Sequence, residues 1–513
     1  MKKLISFGVS SLTGGFFVIA TSTILSKVVG LLRDKLLSNF FGPGVILDSY
    51  FASFRLPDFI FNSLVLGVLG SALIPVLTSA KNKDDHDKIV SNVTFILTIV
   101  LSLLSLLAWL FAPQIIKLIT TGFTSERLEL TISMTRIMLV SVVIFGFSNV
   151  LSSVLQAKKI FTSVALASIL YNFGIILGIL FAYKQNPLYL AWGVVIGAFL
   201  HLIIQVPNFY KLKVSWAKFY RLTSESILVF KLMIPRIFGL VSGQLSVLIT
   251  TAVISLMPLG SLAVYSLASN IQSFPYSVIG VALAVAAFPF VSEIANNDKL
   301  LAQQHLNKLI RVQLILLIPV VTLLWFWRSE IVSLLIGGGN FKYNAIMLTA
   351  NILAITLFSV VPMSIYQLSA RTLYALKNTI TPTIISLIAV SLAGSLVWGF
   401  RNHGLLVVCT ILVVVDWISA LVMYYYANKD NKEKFYNNWL YKIISATIIS
   451  FAPYFLVQNI FTPIKTNFYL SIVLIMVSGA VSLVVYCFSM WGLQVNEFME
   501  LFRKIKSRVI KPV

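Results

Sequence analysis

Apolar runs long enough to cross a bilayer recur along the whole chain, and no other feature limits its fold so tightly. A helix through the hydrocarbon core needs about 20 largely apolar residues, and roughly fourteen runs of about 18 or more meet that need here. Their cores lie near 7–32, 46–79, 89–112, 131–156, 160–183, 188–209, 228–256, 261–294, 309–326, 346–374, 379–400, 403–427, 440–460 and 467–493. The longest polar stretch between them, near 208–231, is too short for a soluble domain. Backbone groups cannot be left unpaired in lipid, so runs of this length form helices. The expected fold is an all-α polytopic membrane protein.

Composition excludes the soluble alternatives. Of 513 residues, 58% are hydrophobic and 11% charged, and the mean hydropathy is +0.93; a water-facing surface would require about a quarter of residues charged. Lys and Arg number 39 against 17 acidic residues, a net charge of +22. A soluble chain so basic would suggest nucleic acid, but here the positive-inside rule explains the excess, and no nucleic-acid partner is expected. With the N-terminus in the cytoplasm, about 26 basic residues fall on that side and about 7 on the other. An even number of spans then places both termini in the cytoplasm. The first 24 residues share features with a cleaved signal, but the apolar pattern continues to Leu32 and fits a spanning helix.

No catalytic or metal constellation is present. His86, His201, His305 and His403 are scattered, Cys409 and Cys487 sit in separate apolar runs, and no Gly-rich phosphate loop precedes a helix. Neither cofactor nor metal is expected, and the chain reads as no enzyme.

An internal repeat organises the spans. VLQAKKIFTSVALAS (154–168) aligns with TLYALKNTITPTIIS (372–386), and GSALIPVLTSA (70–80) with AVAAFPFVSEI (284–294), where Pro75 meets Pro289. Two six-helix lobes of the same topology follow, residues 1–215 and 216–430, around a central cavity, with two further helices and a basic tail in 431–513. In that tail QVNEFMELFRKIKSRVIK puts Val495, Phe498, Phe502, Ile505 and Val509 on one stripe, with Arg503, Lys504, Lys506, Arg508 and Lys511 on the rest. Two readings fit, an amphipathic helix on the anionic leaflet or a basic tail without structure.

The chemistry concentrates between Thr21 and Lys83, where Lys27, Arg33, Asp34, Asp48, Arg55 and Asp58 interrupt apolar segments. A charge at a helix centre in lipid costs about 2.5–3.5 kcal/mol on insertion scales, so such groups face water, a partner or a charged ligand. Lys27 and Asp34 share a helix face, as do Asp48 and Arg55, and two such helices would turn charges of both signs toward one cavity. Arg offers paired donors to phosphate oxygens and Lys a compact charge, which suits a pyrophosphate. Spacing equally fits a snorkelling Lys27 and an interfacial Arg33–Asp34 ion pair. Arg236, after Pro235, is either an anion contact of the second lobe or an interfacial anchor. Asp416, deep in a late span, is either an ion-coupling carboxylate or a structural hydrogen-bond acceptor.

LSKVVGLLRDKLLSNFFGPGVILDSYFASFRLPDF resembles the first two helices of the MurJ (MviN) lipid II flippase family, with its G-x-x-R-D signature as Gly30, Arg33 and Asp34. IQSFPYSVIGVALAVAAFPFVSEIA is similar to that family's eighth helix, and ARTLYALKNTITPT to the link between its tenth and eleventh. The resemblance implies the multidrug/oligosaccharidyl-lipid/polysaccharide exporter fold. It also implies transport of lipid II, the undecaprenyl-pyrophosphate-linked peptidoglycan precursor, from the cytoplasmic to the periplasmic leaflet by alternating access. It places the chain in the bacterial inner membrane, among membrane lipids and beside the cell-wall synthesis machinery. By position Arg33 matches a cavity arginine, Asp48 a functional aspartate, and Lys27 stands where many members have arginine. Phe61 and Asn270 occupy positions where other members carry further arginines, and Arg55 and Arg236 are candidates to compensate. A carrier of another polyprenyl-linked oligosaccharide is the alternative. A drug antiporter would want an acidic cavity, and a membrane glycosyltransferase carboxylates on a large outer loop.

Overall fold

The computed structural model describes residues 12–65, 69–80, 82–216, 223–431, 439–452, 454–455, 468–500 and 503, without the side chains of 12–20, 23, 71, 235, 236, 238, 239 and 468–472. Its helices are α1 (Leu12–Phe41), α2 (Val45–Ser53), α3 (Arg55–Leu64), α4 (Leu69–Thr78), α5 (Lys83–Leu110), α6 (Ala112–Ile119) and α7 (Ser125–Ala157). There follow α8 (Thr162–Ala182), α9 (Tyr189–Ile203), α10 (Val206–Tyr210), α11 (Ser224–Ser255) and α12 (Ser261–Pro275), which runs through a π-helical turn, Tyr276–Val281, into α13 (Ala282–Asn297). The remainder are α14 (Lys299–Phe326), α15 (Arg328–Ile336), α16 (Tyr343–Thr356), α17 (Val360–Ala375), α18 (Ile380–Gly399), α19 (Leu405–Ala427), α20 (Trp439–Ile449) and α21 (Phe468–Gly492).

Over its described residues, each of the fourteen expected spans coincides with a helix or a broken run of helices; 7–11, 66–68, 453, 456–460 and 467, in the first, second, thirteenth and fourteenth, lie outside them. Ten helical stretches among the described residues are long and apolar enough to cross a membrane. The second expected span falls outside that set because it is divided into α2, α3 and α4. The sides left uncovered are apolar, as on α5, where Leu103, Leu106, Leu107 and Leu110 are exposed. In water that surface would aggregate, whereas in a bilayer it is solvated by lipid tails.

Two compact units emerge. The first comprises Met1–Ser266, Gly338–Lys342 and Val397–Arg401; the second comprises Leu267–Gly337, Tyr343–Leu396 and Asn402–Val513. The core of the first is built from Leu73, Val93, Leu101, Val150 and their neighbours on α4, α5 and α7, and from Leu37, Tyr50, Met134 and Ile175 on α1, α2, α7 and α8. The core of the second gathers Leu306, Ile310, Leu373, Met423 and Ile443 on α14, α17, α19 and α20.

Within the first unit α8 and α9 cross at the closest approach that helices allow. A Cβ on Gly174 would lie 2.3 Å from Gly197 Cα, and one on Gly178 2.5 Å from Gly193 Cα. Both helices carry glycine four residues apart on the contact face, the spacing that lets backbones touch in lipid. Gly178→Val is expected to separate them and to cost most of the folded yield, read as loss of the monodisperse peak in size-exclusion chromatography.

The repeat is visible in backbone detail. Lys159, after α7, and Lys377, after α17, both take the left-handed conformation, with φ 60° and 62°. In each case the following N–H reaches back to close the helix: Ile160 N to Leu155 O at 2.8 Å and Asn378 N to Leu373 O at 2.9 Å. This is a Schellman-type end formed twice at aligned positions. In the second unit Pro275 cannot donate to the helical ladder, and the π-helical turn follows it directly. Gln313 of α14 donates to the Gly280 carbonyl inside that turn at 3.1 Å.

The tail begins differently from the expected surface helix. Glu497 accepts from Arg311 at 3.1 Å and Glu500 from Lys308 at 2.7 Å, while Val495 is buried in the core of the second unit. The two glutamates find cations on α14, which holds this segment on protein. Apart from Arg503, which is exposed, residues 501–513 of the expected stripe lie outside the described residues.

Candidate functional site

Arg33 lies in the second half of α1 and is fixed on three sides. Its Nε and Nη2 donate to Asp34 Oδ1 at 3.0 and 2.8 Å, and its Nη1 donates to Asn172 Oδ1 on α8 at 3.1 Å. Asn172 is itself oriented, since its Nδ2 donates to Ser168 O at 3.1 Å and to Ser26 Oγ at 3.3 Å. Gly30 faces the same amide: a Cβ there would lie 3.7 Å from Asn172 Oδ1. The Gly30, Arg33 and Asp34 triad thus forms one contact on one helix face. A guanidinium held this way loses little rotamer freedom when it meets an anion. Lys27, nearly two turns earlier on α1, is partly buried.

The end of α1 is closed from far along the chain. Asn340 N donates to Asn39 O at 2.9 Å and Asn340 Nδ2 to Phe40 O at 2.6 Å, so carbonyls that the helix cannot pair internally are satisfied. Gly339 has φ 53°, and a Cβ there would lie 2.3 Å from Asn39 O. Only glycine fits.

Asp48 and Arg55 do share a face, as their spacing implies, but that face meets protein. Asp48 is 1% exposed. Its Oδ2 accepts from Gly260 N at 2.8 Å and its Oδ1 from Ala263 N at 2.9 Å, so it caps the first turn of α12 from another helix. Arg127 of α7, 7% exposed, reaches Asp48 Oδ2 with Nη1 at 3.4 Å and stacks over Phe123. About two turns on, Arg55 Nη2 donates to Ser266 Oγ at 3.3 Å, while its buried Nε has no hydrogen-bond partner among the described residues.

The chain's matches to known proteins extend over most of its length, with the family model beginning near the end of α1, after Arg33. The family model described as Lipid II flippase MurJ matches residues 37–493. The chain belongs to the lipid II flippase MurJ family. It is 27% identical over 439 residues to the probable lipid II flippase MurJ of Buchnera aphidicola subsp. Schizaphis graminum, covering 83% of this chain and 82% of that one. It is 28% identical over 385 residues to the lipid II flippase MurJ of Burkholderia cenocepacia, covering 71% and 73%. A solved structure, lipid II flippase MurJ in an inward closed conformation, matches with a TM-score of 0.75 at 23% identity over 93% of this chain and all of that one. An inward-facing multidrug resistance MATE family transporter of the MOP superfamily matches at 0.64 with 14% identity, covering 79% and 94%, which is a likeness of fold.

The remaining predicted positions separate. Arg236 lies on α11, with its side chain outside the described residues. Asp416, on α19 of the second unit, hydrogen-bonds Ser359 at the break between α16 and α17. Phe61, where the family pattern has arginine, packs its ring 5.1 Å from Phe145 and lines a cavity with Asp58. Asn270 lies on α12. Asn172, a polar spot within its apolar run, and Arg127 orient Arg33 and Asp48, and sequence reading assigned no site role to Arg127. It also passed over Arg371 of the second unit, which lies over the Phe288 ring with an unpaired buried Nε. Asn172 is a single polar residue in a long apolar run, and that isolation was the signal available; Arg127 stands between Glu126 and Glu129 at the start of its helix and gave no such signal.

Proposed function

We infer that this chain is a lipid II flippase of the bacterial inner membrane, moving the polyprenyl-pyrophosphate-linked precursor from the cytoplasmic to the periplasmic leaflet for peptidoglycan synthesis. The family match across residues 37–493 carries the reading. Arg33, with its direction set by Asp34 and Asn172, takes the pyrophosphate. Lys27 adds a compact charge on the same helix, and Arg55 brings an N–H that lacks a partner. Asp48 orders the helices around these cations. Arg236 serves from the start of the second lobe, and Asp416 is the second unit's candidate for ion coupling.

Transport follows an alternating-access scheme. The lobes are 1–215 and 216–430, with 431–513 appended, and both termini are cytoplasmic, as the basic residues require. The sugar-peptide head enters a hydrated cavity while the polyprenyl tail stays in lipid. The chain works alongside the cell-wall synthesis machinery, and its work is transport.

Charge-assisted hydrogen bonds contribute about 1.5–3 kcal/mol each, so the diphosphate should dominate recognition. With purified protein, undecaprenyl pyrophosphate is expected to displace fluorescent lipid II at concentrations at least about tenfold below those needed with undecaprenol. Equal displacement by the two would show that the cations do not read the pyrophosphate. Preference for a lipid-linked sugar without the muropeptide would favour the alternative substrate.

A further inference from the structure

The first unit contains a cavity of about 250 Å³ among α3, α7, α8 and α9 that the substrate cations do not use. Asp58 opens onto it, and its carboxylate accepts no hydrogen bond among the described residues. Much of the remaining lining is apolar, with Phe54, Phe61, Phe145 and Val194 among it. A carboxylate so placed is costly while it carries an uncompensated charge.

The polar groups around it present lone pairs. Asn62 Nδ2 donates to Gln244 Oε1 at 3.4 Å and Asn149 Nδ2 to Phe145 O at 2.9 Å, which leaves the Oδ1 of each for the cavity. The Ser141 hydroxyl donates to Met138 O at 2.6 Å and that of Ser168 to Ala165 O at 3.2 Å, so both oxygens are acceptors. His201 is fixed by a directed chain. Ser152 Oγ donates to Gln205 Oε1 at 2.7 Å, Gln205 Nε2 donates to Ser148 Oγ at 2.9 Å, and Ser148 Oγ lies 2.6 Å from His201 Nδ1. The donor and acceptor roles at Nδ1 follow the tautomer, and Nε2 is the ring nitrogen without a hydrogen-bond partner among the described residues.

Few other charges reach this carboxylate. Arg55, one turn away, attracts it without a hydrogen bond, and Tyr50 and Tyr171 lie within electrostatic range. From α1, Arg33 acts on both tyrosines and Asp34 on Tyr50. The charged residues of α5 and α7 are confined to the opening turns of those helices, before Met138, where α7 first meets the cavity. On α11, Glu225 and Lys231 lie in the opening turns, the Arg236 side chain is outside the described residues, and Gln244 touches the lining through its hydrogen bond with Asn62.

We propose that this cavity binds one monovalent cation, a proton or an alkali-metal ion, on Asp58, with His201 and the Asn62, Asn149 and serine oxygens as its surroundings. Binding neutralises the carboxylate and removes the cost of its charge. Use of that event to drive transport rests on the flippase reading above. Occupancy of the site does not, and the test reads occupancy.

Infrared difference spectra of the purified full-length protein in nanodiscs decide it. In choline buffer, acidification should raise a protonated-carboxyl band in wild type and Asp416→Asn that is absent in Asp58→Asn, and a band that sodium then removes identifies the alkali ion as a competitor. If sodium is the native ligand, its addition at alkaline pH should instead shift a carboxylate band that Asp58→Asn lacks. Should Asp58→Asn fail to fold, His201→Gln and Asn62→Ala are expected to weaken the proton or sodium titration severalfold. Absence of both signals in wild type, their persistence in Asp58→Asn, or no change in either neighbouring variant would overturn the proposal.

Discussion

Arg33→Ala is expected to abolish flipping while the protein still inserts. The guanidinium is the most thoroughly positioned cation of the described helices, with three hydrogen bonds to Asp34 and Asn172 and a partly exposed remainder. Loss of two charge-assisted contacts to a pyrophosphate at about 1.5–3 kcal/mol each predicts at least about a hundredfold fall in binding. Arg33→Lys separates the electrostatic from the structural role. It keeps the charge but cannot bridge Asp34, Asn172 and a ligand at once, so binding should fall about tenfold with folding intact. Both variants are read by lipid II titration against protein matched for amount and monodispersity. Unchanged binding by Arg33→Ala would remove this residue from the site.

Asp48→Ala should cost stability first. The substitution leaves the buried Arg127 without its carboxylate and uncaps two N–H groups at the start of α12. Breaking a buried ion pair costs about 3–5 kcal/mol, and an N-cap a further ~1 kcal/mol. That is a large share of the roughly 5–15 kcal/mol that holds an ordinary protein folded. Asp48→Asn, which retains an acceptor, should recover part of the cap but not the pair. Thermal unfolding in detergent is expected to order the proteins as wild type, Asp48→Asn, Asp48→Ala. If all three unfold together while only transport is lost, Asp48 acts on substrate and not on the scaffold.

These two residues show how far the sequence could be read. Both stood out as charges in apolar helices, which lipid penalises, and the fourteen runs and the repeat were visible for the same thermodynamic reason. What each charge faces was not visible. Asp48 and Arg55 lie on one side of their helical run as the spacing demands, but spacing does not say whether a cavity or the first turn of α12 is opposite. Arg33 and Asp34 bond to each other, which the interfacial ion-pair reading anticipated, and Asn172 then adds a partner from more than a hundred residues away. The left-handed Lys159 and Lys377 give the repeat a physical basis that residue matching alone could not supply. In the tail, Glu497 and Glu500 set the first turns against α14, while the five cations belong to 501–513, of which only Arg503 is among the described residues.

Cells depleted of their own lipid II flippase and expressing this chain offer the most direct test. The quantity to measure is the fraction of lipid II cleaved by a degrading enzyme added outside. Restored cleavage with the wild-type chain, lost with Arg33→Ala at equal membrane abundance, is the expected result. Uncleaved lipid II in cells where the wild-type chain is correctly inserted would contradict the flippase assignment, and arginine at Phe61 and Asn270 would be the first change to make.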